Sequence, residues 1–275
     1  MTQTITFIGG GNMAASLIGG LIANGYPTDS IRVAEPSQER RDFLSQQYAV
    51  HSSTDNASAV ASTDIIMLAV KPQALQSVCR ELAGQFDSSN TLIISIAAGI
   101  RTDDINRWLG GDCAIVRCMP NTPSLVQLGA TGLFANHKVR ETQRHTAESI
   151  LAAVGITCWV QQETQLDAVT ALSGSGPAYF FLLMEAMQKV GIAMGLDAEV
   201  SRQLTLQTAL GAARMAMDSD DDAATLRQKV TSPGGTTEAA IHTFQSQDFE
   251  ALVQLALNNA CLRADELAEQ LGKDA

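Results

Sequence analysis

Through the first 160 residues, short apolar runs alternate with longer stretches of mixed polarity; beyond that point the alternation stops. Thr4 to Ile8 predicts a strand, and Asn12 to Asn24 a helix stopped by Gly25. Ile31-Arg32-Val33-Ala34 predicts a second strand, followed by a polar helix from Gln38 to about Gln47. Ile65 to Val70 and Thr91 to Ser95 are continuously apolar, as strands covered on both faces of a parallel sheet must be. Further strands are predicted at Ala114–Arg117, Gly132–Phe134 and Ile156–Val160. Repeated strand–helix alternation of this kind specifies a doubly wound α/β sheet.

After Gln161 the periodicity is helical: Ala178–Met194, Glu199–Met217, Ala224–Val230 and Phe249–Leu271. Two breakers, Ser173-Gly174-Ser175-Gly176-Pro177 and Thr231-Ser232-Pro233-Gly234-Gly235, divide this half. The expected organisation is residues 1–161 as a dinucleotide-binding domain and 162–275 as a helical domain. The helix opening Ala178-Tyr179-Phe180-Phe181-Leu182-Leu183-Met184 is apolar almost all round, so it must be enclosed. So few helices cannot enclose it alone, and a second copy of the chain is the expected cover.

Composition narrows the possible functions. The formal charge is −11, with 11 basic against 13 acidic side chains through residue 160 and 7 against 16 beyond it. No basic stripe is present, which argues against nucleic acid and anionic membranes as partners. The longest aliphatic run is far shorter than the roughly 20 residues of a membrane span. Met1 to Thr4 carries no basic segment, so no leader is expected. Cys79, Cys113, Cys118, Cys158 and Cys261 are scattered and lack a Cys-x-x-Cys pair, which suits reduced thiols and a cytoplasmic location. His51, His137, His145 and His242 share no metal-ligand spacing, so no metal is expected. His242 reads as a solvated helix-face residue, and Asp103 with Asp104 as a helix N-terminal pair.

The chemistry is concentrated at the predicted strand ends. The first strand runs into Gly9-Gly10-Gly11-Asn12-Met13-Ala14, a G-x-G-x-x-A pattern opening a helix. There Gly9 permits the tight turn, Gly11 lets a pyrophosphate approach, and Ala14 lets helix pack on strand. Glu35, at the second strand's end, stands where an acid takes the ribose hydroxyls of NAD. Ser37, Arg40 and Arg41 follow and could instead hold a 2′-phosphate, and Glu35 could equally be a helix N-terminal acid. Ala69-Val70-Lys71-Pro72 and Ala97-Ala98-Gly99 close two further strands and should border the cofactor; Lys71 reads either as a phosphate or carboxamide ligand or as a surface lysine. Arg117-Cys118-Met119-Pro120-Asn121-Thr122-Pro123 forms a loop stiffened by two prolines. In the second half, Ser232-Pro233-Gly234-Gly235-Thr236-Thr237-Glu238 reads as a compact turn with Ser or Thr capping a helix. It also reads as a row of backbone N–H groups suited to a carboxylate.

Taken in order, the Gly9–Ala14 loop, Ala69–Pro72, Ala97–Ile100, Arg117–Pro123, Ser173–Tyr179 and Ser232–Thr237 closely resemble pyrroline-5-carboxylate reductase, from about residue 4 to 270. The resemblance implies a Rossmann-type domain followed by an all-α dimerisation domain, and often an assembly larger than the dimer. It implies reduction of 1-pyrroline-5-carboxylate to proline with NADPH, or NADH, as donor. By the same resemblance Gly9, Gly11, Asn12, Met13, Glu35, Ser37, Asn56, Ala69–Pro72 and Ala97–Gly99 face the cofactor. Ser232, Gly234, Gly235, Thr236, Thr237 and Asn121 face the substrate, with the Thr237 hydroxyl matching one near the ring nitrogen. Members favouring NADP tend to carry a small or phosphate-accepting residue where Glu35 stands, so this position departs from their pattern. The β-hydroxyacid dehydrogenases share the two-domain plan, but their catalytic lysine position is Phe180 here and their asparagine position Met184. A C=N bond, once protonated, is electrophilic enough to need mainly proximity and orientation, which suits a site without a strong general acid.

Overall fold

A computed structural model describes residues 2–273 of the chain. Met1, with which the leaderless N-terminus was expected to begin, and residues 274–275, which close the second expected domain, lie outside the described residues. The sheet is built from β1 (Ile5–Ile8), β2 (Ile31–Ala34), β3 (His51–Ser53), β4 (Ile65–Leu68), β5 (Leu92–Ser95), β6 (Ala114–Met119), β7 (Gly129–Ala135) and β8 (Gly155–Trp159). Its order is β3-β2-β1-β4-β5-β6-β7-β8. The first six strands are parallel, in the 3-2-1-4-5-6 arrangement of dinucleotide-binding sheets. β7 runs antiparallel to β6, and β8 pairs parallel with β7.

Between the strands lie α1 (Asn12–Ala23), α2 (Gln38–Tyr48), α3 (Asn56–Val60), α4 (Pro72–Leu82), α5 (Thr102–Trp108), α6 (Glu141–Ala152) and α7 (Gln165–Val169). The continuous apolar runs have the expected cause. Ile5, Phe7, Ile65, Met67, Leu92 and Ile94 face one buried cluster with α1 and α6. Ile8, Ile66, Leu68 and Ile93 face a second cluster with α3, α4 and α5. Strand residues alternate between the two clusters because consecutive side chains point to opposite sheet faces. Thr6 is fully buried, its hydroxyl donating to the Ala59 carbonyl at 3.1 Å. The polar strand β3 and the short helix α3 carry no hydrophobic period and are additions to the expected elements.

The remaining helices are α8 (Gly176–Ala193), α9 (Ala198–Asp218), α10 (Ala223–Lys229), α11 (Thr236–Ser246) and α12 (Phe249–Leu271). The expected break at Ser173–Pro177 is corrected: Thr170–Gly174 forms a π-helical turn leading into α8, and Pro177 falls at the start of that helix. A proline's missing N–H is tolerated in a first turn, and wide turns of this kind absorb an extra residue. The acidic segment Asp218–Asp222 joins two helices: α9 ends at Asp218, and Asp222 caps α10 by accepting the Thr225 N–H at 2.8 Å.

Two compact units emerge: residues through Ser175 together with those from Ala260 onward, and Gly176–Asn259. The first unit runs beyond residue 161 because Glu163 and Asp167 pair with its arginines. It also includes the end of α12, where Asp265 meets Arg101 at 2.8 Å and the Gly272 carbonyl accepts from Arg107 at 2.8 Å. Within the second unit, α8 and α9 pack on each other, with the Ser201 hydroxyl donating to the Gln188 carbonyl.

Candidate functional site

In the first unit, the carboxyl ends of β1, β4 and β5 converge on the glycine turn. Gly9 has φ +98°, and a Cβ there would lie 2.8 Å from the Ala69 carbonyl oxygen, so this position admits only glycine. Its N–H donates to the Ala34 carbonyl at 2.8 Å, and the Ala69 N–H to the Ile8 carbonyl at 2.8 Å, which join the ends of β1, β2 and β4. Gly11 is different in kind: a Cβ there would meet nothing within 4 Å, so the turn opens outward at this residue. Gly11 is also the N-cap of α1, with no side-chain cap and no acidic residue in the first turn. The earliest intrahelical donor is the Ala15 N–H to the Gly11 carbonyl, which leaves the amides of Asn12, Met13 and Ala14 without a partner among the described residues. Three converging N–H groups at the positive end of a helix dipole make an anion cradle.

The turn after β2 clamps this cradle. Glu35 Oε2 accepts the Gly10 N–H at 2.8 Å and Oε1 the Ser37 N–H at 2.9 Å. Arg40 Nε donates to the Gly10 carbonyl at 2.6 Å, and its guanidinium lies 4.7 Å from the Phe43 ring centre. Arg41 donates to the Glu35 and Pro36 carbonyls at 2.7 and 2.8 Å and also to Gln38. The Ser37 hydroxyl caps α2 through the Arg40 N–H. Asn56 opens α3 and donates to Glu81 at 3.1 Å. Lys71 is exposed at the N-cap of α4, followed by Pro72 at the helix start. Ala97 is buried and Ala98 exposed; Gly99, at φ +72°, has Leu267, Ala268 and Leu271 of α12 beside it. The sheet thus brings Gly9–Met13, Ala69–Pro72 and Ala97–Ala98 to one edge, with Glu35 and Ser37 beside them.

The Arg117–Pro123 loop is held by charges that sequence reasoning did not find. Arg117, only 2% exposed, reaches Glu163 at 3.2 Å and Asp167 at 3.8 Å. Arg101 reaches Asp167 at 2.7 Å, and Glu163 accepts the Thr102 N–H and hydroxyl at 2.7 and 2.8 Å. Burial pulls the Arg117 guanidinium down from its ordinary range, against the opposing pull of Glu163. An arginine inside the apolar strand Ala114–Met119 was the available signal, since a buried guanidinium requires carboxylates nearby. Asn121 uses both ends of its side chain: Oδ1 accepts the Ala130 N–H at 2.9 Å, and Nδ2 donates to the Ser173 carbonyl at 3.0 Å. It is 9% exposed and pins the loop between β7 and the π turn.

The second unit repeats the cradle. Gly234 has φ +70°, and the Gly235 N–H closes a turn onto the Ser232 carbonyl at 3.0 Å. The expected Ser or Thr cap is corrected: Gly235 is the N-cap of α11 and no side chain caps it. Instead Glu238 Oε2 accepts the Gly234 N–H at 2.7 Å, an acid at the third helical position reaching back over the turn. The first helical acceptor is the Gly235 carbonyl, which takes the Ala239 N–H at 3.2 Å. The amides of Thr236, Thr237 and Glu238 therefore have no partner among the described residues. Both threonines are exposed. The turn borders an open depression of about 620 Å³, whose walls include Arg227, Thr231, Glu238 and His242. In both cradles, then, an internal carboxylate takes an amide beside the helix opening, and the first three helical amides stay free. Among the described residues no group of His, Cys, Asp and Glu is arranged to hold a metal ion.

Comparisons with known proteins agree with this geometry. Residues 163–267 match a family model described as pyrroline-5-carboxylate reductase dimerisation. Residues 4–99 match one described as NADP oxidoreductase, coenzyme F420-dependent. The pyrroline-5-carboxylate reductase of Pseudomonas aeruginosa is 54% identical over 272 residues, covering 99% of each chain. That of Haemophilus influenzae is 46% identical, covering 98% of each. Among solved structures, a pyrroline-5-carboxylate reductase from Coxiella burnetii superposes with TM-score 0.94 at 48% identity, over 98% of this chain and 99% of that one. The Plasmodium falciparum pyrroline carboxylate reductase, solved with NADP bound, gives TM-score 0.85 at 29% identity, over 97% and 98%.

Proposed function

The chain belongs to the pyrroline-5-carboxylate reductase family, and on that premise we propose that its two amide cradles hold the two reactants, one each. It is an NAD(P)H-dependent oxidoreductase that reduces 1-pyrroline-5-carboxylate to proline. The first cradle, with the free amides of Asn12, Met13 and Ala14, suits a nucleotide diphosphate. The outward opening at Gly11 leaves room for one, and the NADP-containing Plasmodium falciparum structure supports that occupant. Bound there, the reduced nicotinamide supplies the hydride. Gly9, Glu35, Ser37, Asn56, Ala69–Pro72 and Ala97–Gly99 then serve as the walls of the nucleotide site.

The second cradle takes the carboxylate of the ring acid on the amides of Thr236, Thr237 and Glu238, with Ser232, Gly234 and Gly235 shaping the turn. Thr237 occupies the second position of α11 and is exposed, so its hydroxyl is available to the ring nitrogen. In this reading Asn121 supports the substrate side indirectly, by pinning its loop. A protonated imine accepts hydride without strong acid help, so binding and orienting the ligands is the protein's main contribution. Effective molarities of about 10⁵ M or more are accessible to such orientation.

The carrying observation is the second cradle, where Glu238 holds the Gly234 turn open and leaves three helix-start amides free. Following loss of NADPH absorbance with 1-pyrroline-5-carboxylate, Thr237→Ala is expected to lower kcat/KM about ten-fold or more. Wild-type kinetics in that variant would remove Thr237 from the site. The segment 163–267 belongs to a dimerisation family, and we place a second copy of the chain on the exposed apolar faces of α8, α9 and α12. Dimers assembled into a larger homo-oligomer, and a cytoplasmic location suited to five unpaired cysteines, complete the proposal. No helix among the described residues is long and apolar enough to cross a membrane.

A further inference from the structure

Beside the second cradle lies a groove to which the reduction assigns nothing, and we infer that it binds a free aliphatic α-amino acid as its zwitterion. The groove runs between α10 and α11 and has a volume of about 620 Å³. Its α11 wall carries Glu238, Ile241, His242 and Gln245, at the i, i+3, i+4, i+7 spacing of one helix face. Thr236 and Thr237 do not line it, so the groove is separate from the place proposed for the ring acid.

Two unpaired charges of opposite sign line this groove. Beyond residue 160 the chain carries 16 acidic against 7 basic side chains, so a cation there has carboxylates in excess to pair with. Within Gly176–Asn259, Lys189, Arg202, Arg214 and Lys229 each take one. Arg227, exposed in the last turn of α10, pairs with none among the described residues, although Glu238 lines the same groove. Glu238 is itself half engaged: Oε2 accepts the Gly234 N–H, and Oε1 accepts no hydrogen bond among the described residues. A guanidinium fork suits a carboxylate, and a free carboxylate oxygen suits an ammonium. A ligand carrying both groups bridges two charges that do not meet each other. Ala239 and Ile241 give its side chain an apolar wall. Solvated charge pairs are individually weak, so the expected Kd is about 1–10 mM.

Calorimetric titration of the full chain with L-valine tests this, with isovalerate and isobutylamine as controls that each lack one of the two charges. Valine is expected to bind and to raise Tm, and each control to bind at least about ten-fold more weakly. Arg227→Gln should weaken valine by about ten-fold or more, and Arg227→Lys should restore part of that loss. Both variants should keep the wild-type Kd for NADPH, which separates a lost ligand contact from a damaged fold. Thr237→Ala, the variant that tests the ring-acid site, should bind valine as wild type does. No heat and no change in Tm at about 50 mM valine overturns the inference. Equal binding of the three compounds, or an unchanged valine Kd in Arg227→Gln, overturns it too. Loss of valine binding in Thr237→Ala would put the amino acid in the ring-acid site and leave the groove without a ligand.

Discussion

A single added methyl group separates a working Gly9 from a broken one. With φ at +98° and the Ala69 carbonyl 2.8 Å from the new carbon, Gly9→Ala must either strain the backbone or part β1 from β4. Strain of this kind costs about 1–3 kcal/mol. The expected outcome is a matching loss in urea stability together with nucleotide binding at least about ten-fold weaker by titration. The buried thiols give a pH prediction. Burial pushes Cys79 up from its ordinary 9.0 to about 12 and Cys113 to about 11, and it raises Cys118 as well. Unfolded, these thiols ionise near their ordinary value; folded, they keep their protons. Their contribution to stability is whole below pH 9 and declines as pH rises toward about 12. Urea midpoints should therefore fall between pH 8.5 and 10.5 (roughly the lower part of that window), and less in a Cys79→Ser, Cys113→Ser double variant. A midpoint that holds steady over that range would contradict the assignment.

Among elements, the least replaceable contact is the join between β6, α7 and the N-terminus of α5. Arg117 lies between Glu163 and Asp167, so Arg117→Ala removes one cation from both carboxylates, while Asp167 keeps Arg101 and Glu163 keeps Thr102. The full cost of an uncompensated buried charge, about 3–5 kcal/mol, is therefore not reached, and a loss of about 1–3 kcal/mol is expected. Chemical denaturation should show that loss, and a change below about 1 kcal/mol would mean the carboxylates find water instead. This join also marks where sequence reading stopped. The strands with continuous apolar runs, the glycine loop and the Ser232–Thr237 turn were legible because each follows from local rules of burial period or φ. The polar strand β3 has no hydrophobic period, so nothing local announced it. The π turn at Thr170–Gly174 escaped because two glycines within five residues read as a break, whereas the backbone stays helical there and Gly174 leaves room for the Met119 methyl, which a Cβ would approach to 2.5 Å. Glu238 read only as the last residue of the turn, and its reach to Gly234, in place of a Ser or Thr cap, depends on the three-dimensional turn. The Glu163 and Asp167 partners of Arg117 lie about fifty residues away in the chain, beyond any sequence window.

For the molecule as a whole, the helical segment is unfinished on its own. Phe180, Phe181 and Leu182 are 64%, 64% and 68% exposed in the single chain, and Leu210, Leu252 and Leu255 are each more than half exposed. Apolar faces on this scale belong to subunit interfaces. A Phe180→Glu, Phe181→Glu variant should sediment as a 29.2 kDa monomer, or as a smaller assembly than wild type, without turnover. Unchanged mass would move the interface to another face of the helices.

The two cradles also bear on how such an acidic protein handles anionic reactants at all. Both proposed grips consist of peptide N–H groups at helix starts, not of lysine or arginine forks. Dipoles in contact with a ligand are screened far less by dissolved ions than separated formal charges, whose reach at 0.15 M is about 8 Å. Michaelis constants for the ring acid should then stay nearly level as potassium chloride rises from tens to hundreds of millimolar. An enzyme gripping in this way keeps its grasp when the ionic strength around it changes.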